Sequence, residues 1–183
     1  MDYRRDDPLL GVDDGEAFAG VVALLWDERD LLDDVAFRLI QQQRVLASGE
    51  TRWLARADDD LRAAVARVAQ LEVLRAIEVE TLIHSRRAEH DLTLSDLSEL
   101  APQPFSTILG LQRETLRELV GEIEEAATTN CRLLDVGSTD AREALERVDP
   151  AVTSRLAAAE ASYRAALGTV GRVRQKSLLA FLA

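Results

Sequence analysis

Apolar side chains recur at helical spacing along almost the whole chain. Phe18, Val22, Leu25, Leu32, Leu39 and Leu46 follow a 4–3 alternation, interrupted by Arg29, Ala36 and Gln43. That is the seam of a coiled-coil-like bundle. The spacing predicts a first helix from near Asp13, where Glu16 three residues on suggests a capping box. Gly49 in ASGETRW suits a left-handed cap, and Thr51 is placed to restart a helix, so the chain reverses there. A second helix follows to about Arg87, with Leu61, Val65, Val68, Leu71 and Leu74 facing inward and Asp58, Asp59 and Asp60 forming a solvated acidic face.

Residues 88–104 break the pattern. Ser95 can cap a single helical turn through Leu100, and Pro102 and Pro104 block continuation. A third helix then starts near Pro104. Its inward register is Phe105, Leu109, Gln112, Leu116, Leu119, Ile123, Ala126, Asn130 and Leu133, with Gly137 as its stop. Asp149-Pro150 reads as an N-cap followed by proline at the first helical position. Leu156, Tyr163, Leu167, Val170 and Leu178 then continue at helical spacing, toward Leu179, Phe181 and Leu182.

These spans predict an all-α fold: an elongated antiparallel bundle of three long helices with a fourth, C-terminal amphipathic helix. Residues 1–149 form the bundle domain. Residues 150–183 form the fourth helix, either docked on the bundle or offered to a partner. Composition agrees, since hydrophobic residues make up 47% of the 183 and aromatics only 4%. Ala, Leu, Arg and Glu favour helix, and strand formers are scarce.

Charge narrows the function. The formal net charge is −11, which argues against nucleic acid as main partner, because phosphate binding relies on clustered cations. Residues 161–183 hold Arg164, Arg172, Arg174 and Lys176 with no Asp or Glu, so +4 sits on this segment and −15 on the rest. Four cations make a membrane-lying helix over 164–182 a marginal reading. No signal-peptide core or membrane span is evident, and the single cysteine suits a reducing compartment, so a cytoplasmic location is expected.

Catalytic chemistry finds no foothold. His84 and His90 match neither H-E-x-x-H nor a di-iron Glu-x-x-His pair, and GTVGR lacks the lysine of a phosphate loop. Cys131 has no histidine nearby in sequence and reads as a small, buried or half-buried thiol. No enzyme activity, cofactor or metal is expected. Trp26 and Trp53, beside Leu25 and Leu54, read as packing residues. Asn130 falls on a seam, where an asparagine fixes register at a cost in stability.

The order of LLWDERDLL, LASGETRWLARADDDL, LEVLRA (71–76), DLTLSDLSELAPQPF, LQRETLRELVGEI and NCRLLDVG resembles the FlgN family over about residues 18–148. RRAEHDL replaces the Gly-Leu-Pro-like turn frequent after the second helix. The resemblance implies a cytoplasmic flagellar type III export chaperone that binds hook–filament junction proteins of the FlgK and FlgL kind and delivers them to the export apparatus. It also implies partner binding through the C-terminal part. Read this way, Leu156, Tyr163, Leu167, Val170, Leu178 and Phe181 form the partner-binding stripe, and Asn130 is the register determinant. A coiled-coil scaffold or dimerisation module is the competing reading, and the pattern admits a monomer or a homodimer.

Overall fold

The computed structural model describes residues 12–86 and 92–145, positions 157, 158, 160, 161, 164, 165 and 168, and residues 178–183. The fold is all-α. Helix α1 spans Val12–Ser48, a 3-10 turn covers Thr51–Trp53, α2 spans Leu54–Arg86, α3 Leu94–Leu100, α4 Phe105–Leu145 and α5 Leu178–Phe181. At 1.5 Å per residue, the 41 residues of α4 extend about 60 Å.

Each boundary has a local cause. Gly49 adopts φ 70°, a backbone state that lets its N–H reach Leu46 O at 3.2 Å and ends α1. Helix α3 is started by Thr93, two residues before the expected Ser95. Its Oγ1 accepts from Asp96 N at 3.2 Å, and its own N–H donates to Asp96 Oδ2 at 2.9 Å. Both halves of a capping box are thus made. Helix α1 begins at Val12, so Asp13 lies inside the first turn and does not precede it. Gly137 does not stop α4, which continues to Leu145. An isolated glycine costs a helix only about 1 kcal/mol. The expected Asp149-Pro150 start lies outside the described residues.

Helix α1 is the hub, with α2 and α4 packing along it. The pairs Glu28–Arg75 and Asp34–Arg67 show α1 and α2 running antiparallel. Phe18 stacks on Phe105 at a centroid distance of 6.2 Å, and Asn130 meets Leu39 and Gln42, so α4 runs parallel to α1. The C-terminal stretch returns along α4, with Arg164 meeting Asp135 and Arg113 meeting Leu182. The topology is therefore up-down-up-down, with α2 and α4 at diagonal corners.

The shared core is apolar and largely aliphatic: Phe18, Val21, Leu25, Leu32 and Leu39 of α1, Leu61, Val65 and Val68 of α2, and Leu109, Leu116 and Ile123 of α4. Each such side chain contributes roughly 1.5–3 kcal/mol through burial. Four sequence expectations fail here. Leu74 is 54% exposed, and Trp26 and Trp53 are each 46% exposed. Trp26 lies about 100° around α1 from its neighbour Leu25, and Trp53 ends the 3-10 turn just before α2 begins at Leu54. Their rings lie under Arg29 and Arg52 instead of in the core. Asp58, expected in solvent, is buried and paired with Arg62, and burial raises its pKa.

Candidate partner-binding groove

Two helices at diagonal corners of a bundle leave a groove over the hub helix. Here the groove between α2 and α4 holds α5. Leu178, Phe181 and Leu182, at i, i+3 and i+4, are all buried and belong to the common core. That spacing places them on one helical face. Two further contacts seat the turn. The Arg75 guanidinium lies 4.2 Å from the Phe181 ring centroid. Arg113 donates from Nε to Leu182 O at 3.1 Å and from Nη2 to Ala183 O at 2.7 Å, and Arg117 adds a 3.3 Å bond to Ala183 O. These guanidinium groups satisfy carbonyls that the turn's own helix leaves open.

The floor of the groove is ionic. Arg75 Nε lies 2.9 Å from Glu28 Oε2, with side-chain exposures of 3% and 0%. The contact is a close ion pair without an aligned hydrogen bond along it. Burial pushes the Glu28 carboxyl up to about 7; Arg75 opposes this and Glu72 reinforces it. Glu72 is itself raised by burial. Sequence reasoning missed this pair, because the α1 register read from apolar spacing passed through Arg29 and left Glu28 off the seam. The signal was a row of residues seven apart, Val21, Glu28, Val35 and Gln42, all of them buried.

About three to four turns further along α1, Asn130 is fully buried. Its Nδ2 donates to Leu39 O at 2.9 Å and to Gln42 Oε1 at 3.0 Å. Its Oδ1 has no hydrogen-bond partner among the described residues. Asn130 thus sits on the α1–α4 seam, as the spacing predicts. Cys131, next to it, is exposed, where a buried or half-buried thiol was expected. Partial burial and Asp135 raise its pKa, the opposite of an activated nucleophile.

Of the six residues expected to bind a partner, Leu178 and Phe181 lie together in the groove. Leu156, Tyr163, Leu167 and Val170 lie outside the described residues. Leu178 and Phe181 are therefore brought together facing the bundle, not solvent.

The fold and groove define a helical-bundle protein that receives an apolar helical turn between two of its long helices. A family model, FlgN protein, matches residues 17–154, and the chain belongs to the FlgN family. Family membership supports a role as a flagellar export chaperone with protein clients. The match takes in all four helices from α1 to α4 and stops short of α5. Comparison with curated proteins and with solved structures gave no match. No helix among the described residues is long and apolar enough to cross a membrane.

Proposed function

We propose that this FlgN-family protein is a cytoplasmic chaperone for hook–filament junction proteins of the FlgK and FlgL kind, and that its C-terminal stretch, residues 150–183, is the client-binding element. Residues 1–149 act as the bundle domain that stores it. The observation that carries this reading is the seating of α5. An apolar face of Leu178, Phe181 and Leu182 lies between α2 and α4, on a groove that accepts a helical turn. Clients of this kind present amphipathic helical ends, and an apolar helical stripe shields such ends in the helix-in-groove mode. Because Leu178 and Phe181 are covered, client binding requires the turn to leave its seat. The stripe Leu156, Tyr163, Leu167, Val170, Leu178 and Phe181 then faces the client. Arg172, Arg174 and Lys176 steer an acidic partner toward it.

The test removes residues 150–183 and measures calorimetric binding of a FlgK- or FlgL-like client alongside circular dichroism. The expected result is a helical body that has lost client binding. Unchanged affinity overturns the reading, and loss of the whole fold assigns the stretch to the core. A milder variant, Phe181→Ser, separates these cases by loosening the seat while leaving the rest of the stripe intact.

A further inference from the structure

The outward side of the α1–α2 pair, away from the groove that holds α5, carries a second cleft. Asp27, Asp30 and Leu31 of α1 and Arg67, Gln70, Leu71 and Leu74 of α2 line a volume of about 450 Å³. Its apolar part is open to solvent, and it continues along the helices. Leu74 and Ile77 are each 54% exposed, Val73 is 59% exposed, and Trp26 is 46% exposed. Ile77 follows Gln70 by seven residues and Trp26 precedes Asp30 by four, so each lies one or two turns along from a lining residue. The Glu28–Arg75 pair fixes the register of the two helices and sets Trp26 level with Ile77.

Charge selects the occupant. Arg67 is engaged by Asp34 at 3.5 Å, whereas Asp27 and Asp30 meet no counter-ion among the described residues. The cleft therefore joins an apolar strip to two uncompensated carboxylates. A second copy of the chain is a poor occupant for this face, since it would bring its own Asp27 and Asp30 to an interface between molecules of net charge −11. An anionic lipid surface is repelled for the same reason. We propose that the α1–α2 cleft is a docking site for a basic amphipathic helix of another protein. Its apolar positions i, i+3, i+4 and i+7 cover Leu31, Leu71, Leu74 and Ile77, and a Lys or Arg on its flank meets Asp27 and Asp30. This surface is separate from the α5 seat, so a partner held here and one held by the C-terminal stretch can be bound together.

The chain has two tryptophans, Trp26 and Trp53. Trp53→Phe therefore leaves Trp26, at the edge of the cleft, as the sole indole reporter. The probe is a synthetic helical peptide with leucines at i, i+3, i+4 and i+7 and lysines on its flanks. Its control is the same peptide with glutamate for each lysine. The lysine peptide is expected to shift Trp26 emission to the blue with saturation, and the glutamate peptide to bind at least roughly tenfold more weakly. Asp27→Asn with Asp30→Asn, or Leu74→Ser with Ile77→Ser, is expected to weaken the lysine peptide about tenfold while circular dichroism stays unchanged, since all four side chains border open solvent. Three outcomes overturn the proposal: no emission shift up to about 1 mM peptide, equal response to both peptides, or unchanged affinity in both double variants. Self-association of the free protein through this face, seen by light scattering and abolished by Leu74→Ser with Ile77→Ser, overturns it in favour of a second copy.

Discussion

Among the polar groups buried in the bundle, two nodes stand out and differ in kind. The Asn130 node is neutral and local to the α1–α4 seam, with its two acceptors both on α1. The Glu28–Arg75 node is charged and joins three elements, because α1 and α2 supply the ion pair and α5 supplies the ring over Arg75. The first is an unconditional packing device: sliding α4 by one turn, about 5.4 Å, takes Nδ2 away from both acceptors. The second depends on state. Phe181 covers its Arg75 side, and its carboxyl titrates near neutrality. The proposed release of the C-terminal stretch would uncover the charged node and leave the Asn130 node in place.

Breaking the charged node is expected to give the largest effect, and an unequal one. Glu28→Leu leaves a buried guanidinium, which cannot shed its proton, without the carboxylate it meets at 2.9 Å. Removal of one partner of a buried pair costs about 3–5 kcal/mol. Arg75→Leu is expected to cost less at pH 8, because Glu28 can take up a proton and become neutral. Urea unfolding of both variants checks the order. Equal losses at pH 8, where Glu28 is ionised in the wild type, would place the cost in packing and not in charge.

Asn130→Leu comes next. It removes two hydrogen bonds and strands Gln42, which is fully buried, for an expected loss of about 2 kcal/mol. Adding Gln42→Leu should return much of that loss, since replacing both partners by apolar groups is close to neutral. If Asn130 sets register, the double variant regains stability but shows more than one oligomeric state in light scattering. A variant that keeps full stability yet loses client binding would make Asn130 a contact residue.

The pH response sharpens the contrast further. The folded-state pKa of Glu28, about 7, lies above its ordinary value of 4.5, so the native protein holds the extra proton between them. Stability therefore falls as pH rises from about 4.5 through 7, with a slope of at most about 1.4 kcal/mol per pH unit from this group. Glu72 and Asp58, also raised by burial, act with the same sign. In Glu28→Gln the drop in urea midpoint between pH 5 and 7.5 should shrink, while Asn130→Leu should keep the wild-type drop. Parallel profiles for wild type and Glu28→Gln would remove the node's dependence on state.

Much of this was legible in the chain itself, and the exceptions share a cause. The 4–3 spacing located α1, the α4 register and the seam position of Asn130, because apolar periodicity reports burial directly. Gly49 marked the reversal, because only a residue without Cβ takes φ 70° at no cost. Spacing alone does not say which of two adjacent faces is covered, so Leu74 was assigned inward and Asp58 outward. Nor does it reveal a buried charge whose partner is 47 positions away, as Arg75 is from Glu28. The candidate groove was half legible: the amphipathic face of Leu178 and Phe181 was plain, but nothing in the spacing linked it to Arg113 and Arg117, more than 60 positions earlier in the chain.

The smallest expected effect lies at the α3 start, outside both nodes, and serves as their control. Thr93→Ala removes the side chain that accepts from Asp96 N and that also donates to Asp96 Oδ2 at 2.7 Å. Loss of such a cap costs about 1 kcal/mol. The bonds from Thr93 hold the Asp96 carboxyl below its ordinary 3.8. A carboxyl depressed in the folded state stabilises above its unfolded pKa and loses that contribution as pH falls through the folded one. The Thr93→Ala difference should therefore be constant from pH 5 to 7.5 and shrink only below about 3.8, the reverse of the Glu28 profile. A difference that instead varied between pH 5 and 7.5 would show that α3 and the buried ion pair are coupled, and the two polar nodes could no longer be treated as separate devices.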